Sequence, residues 1–151
     1  MDKNIKRMIT IAGFAVGLAG TLFLWKNRRL LTVNDVTTGE SLDYPELLSR
    51  VYNEDRETVL DRTERVIRRL PRWRVVLVNR EADAIEAEVE TLIGHFLDDV
   101  TVYVTDLGNH QCRVTIRSRS RQGRGDLGQN AQHIQELQDA MDAELTRRAA
   151  I

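Results

Sequence analysis

Apolar and polar positions divide the chain into an oily opening, a patternless stretch and a run of regular periodicities. Residues 8–25 (MITIAGFAVGLAGTLFLW) hold no charge over 18 positions. As a helix they would extend about 27 Å, close to the roughly 30 Å of hydrocarbon in a bilayer. A buried core helix of that length shows a polar side, and this segment has none. Residues 30–43, rich in Thr, Asn, Asp, Gly and Ser, follow neither helical nor strand periodicity and read as a linker. Pro45 suits the first turn of a short helix bearing Leu47, Leu48, Val51 and Tyr52. Over residues 57–70, Val59, Thr63, Val66, Ile67 and Leu70 form one apolar stripe, and Pro71 ends the helix they predict.

Four strand patterns follow. Residues 74–79 are β-branched and nearly all apolar. Residues 84–91 set Ile85, Ala87 and Val89 against Glu86, Glu88 and Glu90. Val100, Val102 and Val104 alternate with Thr101, Tyr103 and Thr105, and Cys112, Val114 and Ile116 alternate with Arg113, Thr115 and Arg117. Alternation of this kind means a sheet with one buried and one polar face, and short connections favour antiparallel neighbours. A last helix, over residues 127–148, places Ile134, Leu137, Met141 and Leu145 on its core side, and Asp126 and Gln129 have capping-box spacing at its start. The expected fold class is α+β. An N-terminal single transmembrane helix precedes a four-stranded antiparallel sheet with two helices packed on one face. The predicted divisions are a basic tail (1–7), the transmembrane helix (8–25), a linker with a short helix (26–55) and the α+β domain (56–148).

Charge sharpens the opening segment. Lys3, Lys6 and Arg7 precede the oily run, and Lys26, Arg28 and Arg29 follow it. Their long stems can snorkel to the headgroups, with Trp25 at the interface. Small residues at 15–20 resemble a signal-peptide cleavage region, but apolar sequence continues to Trp25, which favours an uncleaved anchor. Gly13, Gly17 and Gly20 share one side of the helix and offer a packing face to another membrane helix. The basic flanks tie at three each, and the short tail ahead of a folded domain leans towards an extracytoplasmic domain on a cell (inner) membrane. The formal charge of -1 removes any global pull towards nucleic acid. The single cysteine, Cys112, excludes an internal disulfide and reads as a small buried hydrophobe.

The most distinctive string is RSRSRQGRGDLGQN, residues 117–130. Arg117, Arg119, Arg121 and Arg124, with Asp126 at a helix start, are the candidate anion or partner contacts. Guanidinium forks and helix N-terminal N–H groups hold phosphate or carboxylate. A structural role competes, because the shared apolar face allows only even registers for the last hairpin. Those registers bring Asp99 opposite Arg117 or Arg119, with Asp99–Arg117 the pair expected, while Asp126 serves as a helix cap. Asp98 and Asp99 point to opposite sheet faces and make no shared ligand set. His95, His110 and His133 lack metal spacing, and no nucleophile elbow, P-loop, dinucleotide or zinc motif occurs, so no catalytic residue, metal or cofactor is expected. Leu92, Ile93, Phe96 and Leu97 read as cover for one end of the core. The alternative is an exposed apolar tip touching a partner or the bilayer.

The segment FLDDV (96–100) followed by RSRSRQGRGDLGQN resembles the family known as domain of unknown function 1499. That family's pattern is an aromatic-x-Asp-Asp-Val segment, then RSxSRxGxSDxGxN opening a helix. LPRWRVV (70–76) also fits its helix-to-strand junction, and the likeness spans residues 57–141. Gly125 stands where the pattern has Ser, and the family's N-terminal Asn-Cys-Val segment is missing. The resemblance implies a small α+β domain, often on envelope or organelle proteins, without an established activity. The functional expectation is a non-catalytic, membrane-anchored accessory subunit. Its partners would be the lipid bilayer and a larger integral membrane complex, such as a bacterial respiratory or photosynthetic assembly. The alternative is an envelope module that binds an anionic headgroup or small anion through residues 117–128.

Overall fold

The computed structural model describes residues 28–92 and 94–149, together with Thr21. The oily run at 8–25, save Thr21, lies outside them, as do Gly13, Gly17 and Gly20. Among the described residues no helix is long and apolar enough to cross a membrane. In chain order the elements are α1 (Arg29–Thr32), β1 (Asp35–Thr37), β2 (Arg50–Tyr52), α2 (Arg56–Arg69), β3 (Trp73–Asn79), β4 (Ala84–Glu90), β5 (Leu97–Gly108), β6 (Gln111–Ser120) and α3 (Gln129–Ala149).

The fold is α+β, and the sheet has six strands rather than the four expected. The long strands run in the order β3-β4-β5-β6 as consecutive antiparallel neighbours. Val102 pairs with Ile116 and Val104 with Val114, so the apolar members of both strands share the face covered by α2 and α3. Asn109 and His110 both adopt positive φ, forming a two-residue turn whose twist matches the paired strands.

The two additional strands come from the presumed linker. Both β1 and β2 pair antiparallel with the free edge of β6, β1 opposite residues 117–119 and β2 opposite 112–114. Together they act as one edge strand interrupted by an excursion over residues 38–49. Thr38 and Ser49 close its neck: the Thr38 hydroxyl accepts from Ile116 N–H at 3.0 Å and lies 3.1 Å from Ser49 Oγ. The short helix expected after Pro45 is absent. Tyr44, Leu47 and Tyr52 reach the core from turns and from β2, while Val51, on the expected helical stripe, faces outward. Three-residue strands are too short to show a period of two, and the four-residue spacing of Leu47 to Val51 and Leu48 to Tyr52 mimicked a helix.

The apolar stripe of α2 buries Val59, Leu60, Thr63, Val66 and Ile67, and its chain leaves the helix at Leu70, ahead of Pro71. Ile134, Leu137, Met141 and Leu145 of α3 complete the core. Cys112 is buried within it, as expected. The antiparallel registers give the sheet two distinct ends. One holds the chain's entry at 28–34, the loop at 91–96 and the arginine loop at 121–128; the other holds the hairpins at 80–83 and 109–110.

Candidate functional site

Strand alternation sorts the arginine string into two sets. Arg117, Arg119 and Arg121 project from the polar face, while Ser118 and Ser120 turn inward and are buried. The expected Asp99–Arg117 pair does not form. Asp99 sits opposite Arg119, one of the two allowed registers, yet its carboxylate accepts from Arg121 at 2.6 and 3.0 Å. Arg117 instead grips Asp35 of β1 with both prongs, at 2.9 and 2.6 Å. The reason is β1 itself, which places a carboxylate on the side of β6 assumed to be open. The Arg117 fork holds the Asp35 carboxyl below its ordinary range.

The acidic row on β4 does face arginines, as expected. Glu88 is nearly buried between Arg121 and Arg74, and those two contacts lower its pKa. A shallow hollow of about 330 Å³ opens here, with Glu86, Glu88 and Asp99 on one side and Arg117, Arg119 and Arg121 on the other. Its charges largely neutralise one another. Among the described residues, neither Arg119 nor Arg124 has a salt-bridge partner.

The inward set forms a fully engaged network beneath the loop. Asn130, completely buried, accepts from Ser118 Oγ at 2.6 Å and donates to Ser120 Oγ at 3.0 Å and the Asn34 carbonyl at 3.1 Å. Asp126 caps α3 by accepting from the N–H groups of Gly128 and Asn130, both at 2.8 Å. The reciprocal half of a capping box is replaced: the Asp126 N–H donates to the Val33 carbonyl at 3.2 Å. An incoming anion at this helix end would have to displace a carboxylate already in place.

The same loop clamps the entering chain. Leu127 N–H donates to the Leu30 carbonyl at 2.8 Å, Ser120 N–H to the Asn34 carbonyl at 2.9 Å, and the Asn34 side chain to the Gly123 carbonyl at 2.8 Å. Gly125 lies flat against Leu31, where an added Cβ would stand 2.2–2.5 Å from backbone atoms. The Ser of the family pattern would not fit there without moving α1.

The family described as "Protein of unknown function (DUF1499)" matches residues 29–141. The chain belongs to the DUF1499 family. Its match begins at Arg29, so the segment that reads as a linker is part of the DUF1499 domain. No curated protein matches the chain. Set against the DUF1499 pattern, the structure separates its letters. Residues 117, 118, 120, 121, 126 and 130 all have internal partners, and Gly123 and Gly128 take positive φ. Positions 119 and 124 hold the two arginines of the string without salt bridges among the described residues. Asp35, Asn34 and the hub role of Asn130 were missed from sequence, although Asn130 closes the distinctive string.

A second cleft, about 300 Å³, lies between the loops at 91–96 and 121–128. Phe96 and Leu127 border it, and Asp98, Ser120 and Asp126 line it. Asp98 is buried, its Oδ2 without a hydrogen bond and 3.6 Å from Nδ1 of buried His133. Burial raises the Asp98 pKa, and burial followed by the Arg72 charge pushes His133 down to about 4. Both shifts favour uncharged forms, so a neutral imidazole beside the carboxyl describes this contact better than an ion pair. Arg121 points to the opposite face of the sheet and does not line this cleft. Among the described residues no cluster of His, Cys, Asp and Glu could hold a metal ion.

Proposed function

We propose that the chain is a membrane-anchored, non-catalytic accessory subunit of a larger integral membrane assembly, and that the arginine loop moors the domain to its anchor. One observation carries this reading. The most specific string in the sequence spends its side chains and backbone on the fold and on residues 30–34, the segment that continues from the oily run. Binding sites keep such groups uncommitted; here Arg117, Arg121, Asp126 and Asn130 are all paired within the domain. The test is affinity purification of the full chain from membranes in mild detergent. Carbonate-resistant retention and comigration with other membrane proteins are expected, and a monodisperse lone protomer overturns the subunit reading.

Arg119 and Arg124 keep an anion-binding module as the second reading. It predicts that replacing both with Ala abolishes binding to phosphatidylglycerol vesicles with unfolding unchanged. Unaltered vesicle binding rules it out.

A further inference from the structure

We propose that the end of the domain carrying the arginine loop rests on the lipid bilayer, with Phe96 and Leu127 seated at the acyl boundary and Arg28 and Arg124 among the headgroups. The inference rests on the anchored reading above and adds the face and its occupant.

Leu31, Leu92, Phe96, Leu97 and Leu127 all lie at the entry end, with exposures between 40 and 69%. Towards the opposite end Val51, Leu77, Tyr103 and Leu107 are exposed at 42–51%, on strand faces rather than in a loop cluster, and Leu42 and Leu48 of the excursion at 95 and 58%. The sequence led one to expect Leu92, Ile93, Phe96 and Leu97 to cover the core, with an exposed tip as the alternative; Ile93 lies outside the described residues, and the other three face outward, because β5 starts at Leu97 and the core closes beneath it at Asp98 and Val100. Phe96 and Leu127 border one cleft, and Gly125, also on that cleft, packs against the backbone of Leu31. Contiguous apolar surface on a soluble face marks a contact.

Chain length identifies what covers it. The oily run ends at Trp25, and the described segment begins at Arg28. A span of three residues reaches at most about 10 Å. The clamp between residues 30–34 and the arginine loop therefore holds this end of the domain close to the membrane surface. Charge agrees. Most acidic groups here are engaged: Asp126 caps α3, Asp99 holds Arg121, Glu90 holds His95 at 2.5 Å and Glu46 lies 3.6 Å from Arg29, while Asp43 is exposed beside Arg29. Arg28 and Arg124 are exposed, a basic and apolar combination suited to an anionic interface.

The test uses the full chain reconstituted into phosphatidylcholine–phosphatidylglycerol vesicles, with a polarity-sensitive fluorophore on Leu92→Cys, Leu127→Cys or Leu107→Cys. Buried Cys112 stays unlabelled in the folded domain. Expected are blue-shifted emission and quenching by membrane-embedded nitroxide lipids at positions 92 and 127, with a water-like signal at 107. Adding Phe96→Glu should return the signal at 127 to water-like, with carbonate resistance unchanged. Water-like signals at all three sites in a carbonate-resistant chain overturn the docking while leaving the anchor standing. Shielding at 92 and 127 that appears only with a copurifying protein assigns the patch to that protein and also overturns it. A chain released by carbonate removes the anchored reading and the inference together.

Discussion

Gly125 and Asn130 bear different kinds of constraint within one loop. At Gly125 the neighbours of a new methyl group are backbone atoms of Leu31, which cannot swing aside as a side chain would. Gly125→Ala is expected to cost about 1–3 kcal/mol, the usual range for overpacking. It should also speed amide exchange at Ser120, Asp126 and Leu127, whose N–H groups donate to residues 30–34. Unchanged exchange at those three amides would refute the clamp. Asn130 is constrained by polarity instead. Asn130→Leu leaves the Ser118 hydroxyl without its buried acceptor and removes one of the two donors to the Asn34 carbonyl. A loss on the order of 2 kcal/mol is expected in urea unfolding. By contrast, Arg124→Ala should change stability by less than about 0.5 kcal/mol, since the side chain is exposed and without a salt bridge.

His133 of α3 lies 3.6 Å from Asp98 of β5, and the contact makes stability depend on pH. Unfolded, His133 takes its proton near 6.5; folded, only near 4. Between these values the unfolded chain binds the extra proton, so this contribution is complete above 6.5 and declines as the pH falls towards 4. Asp98 acts in the opposite sense, because its raised pKa lets the folded state gain a proton first as pH falls. Comparison of the wild type with His133→Gln by denaturant titration isolates the histidine. The wild type should lose on the order of 3 kcal/mol more than the variant across that window. Parallel curves would show that His133 is not the group responsible. The long elements were legible because their periodicities last: the stripe on α2 and the alternation on β4, β5 and β6 each extend over several repeats. β1 and β2 were not, because each contributes three residues with one buried side chain, Val36 or Tyr52. That omission explains the misassigned Arg117 partner, since Asp35 reaches it only once β1 is in place. The cap at Asp126 was visible because it depends on local spacing, whereas the Asn130 hub joins groups from three separated segments.

Over the molecule as a whole, residues 28–34 are an integral part of the fold. A chain beginning at Lys26 should unfold cooperatively like the full protein, while one beginning at Val36 lacks the Leu30, Val33 and Asn34 carbonyls and the Asp35 carboxylate. The second should melt at a lower temperature and with a shallower transition; equal melting would show the clamp to be dispensable. The interrupted strand formed by β1 and β2 bears also on how copies of the protein avoid one another. A sheet margin with a continuous row of free amides and carbonyls templates further strands from neighbouring chains. On one margin the excursion at 38–49 breaks that row into two three-residue pieces. On the other, the bulge at Val76 puts β3 out of step, and Arg74 adds a charge. Neither border offers a regular template, so assembly by strand addition is disfavoured and self-association would have to use side-chain surfaces.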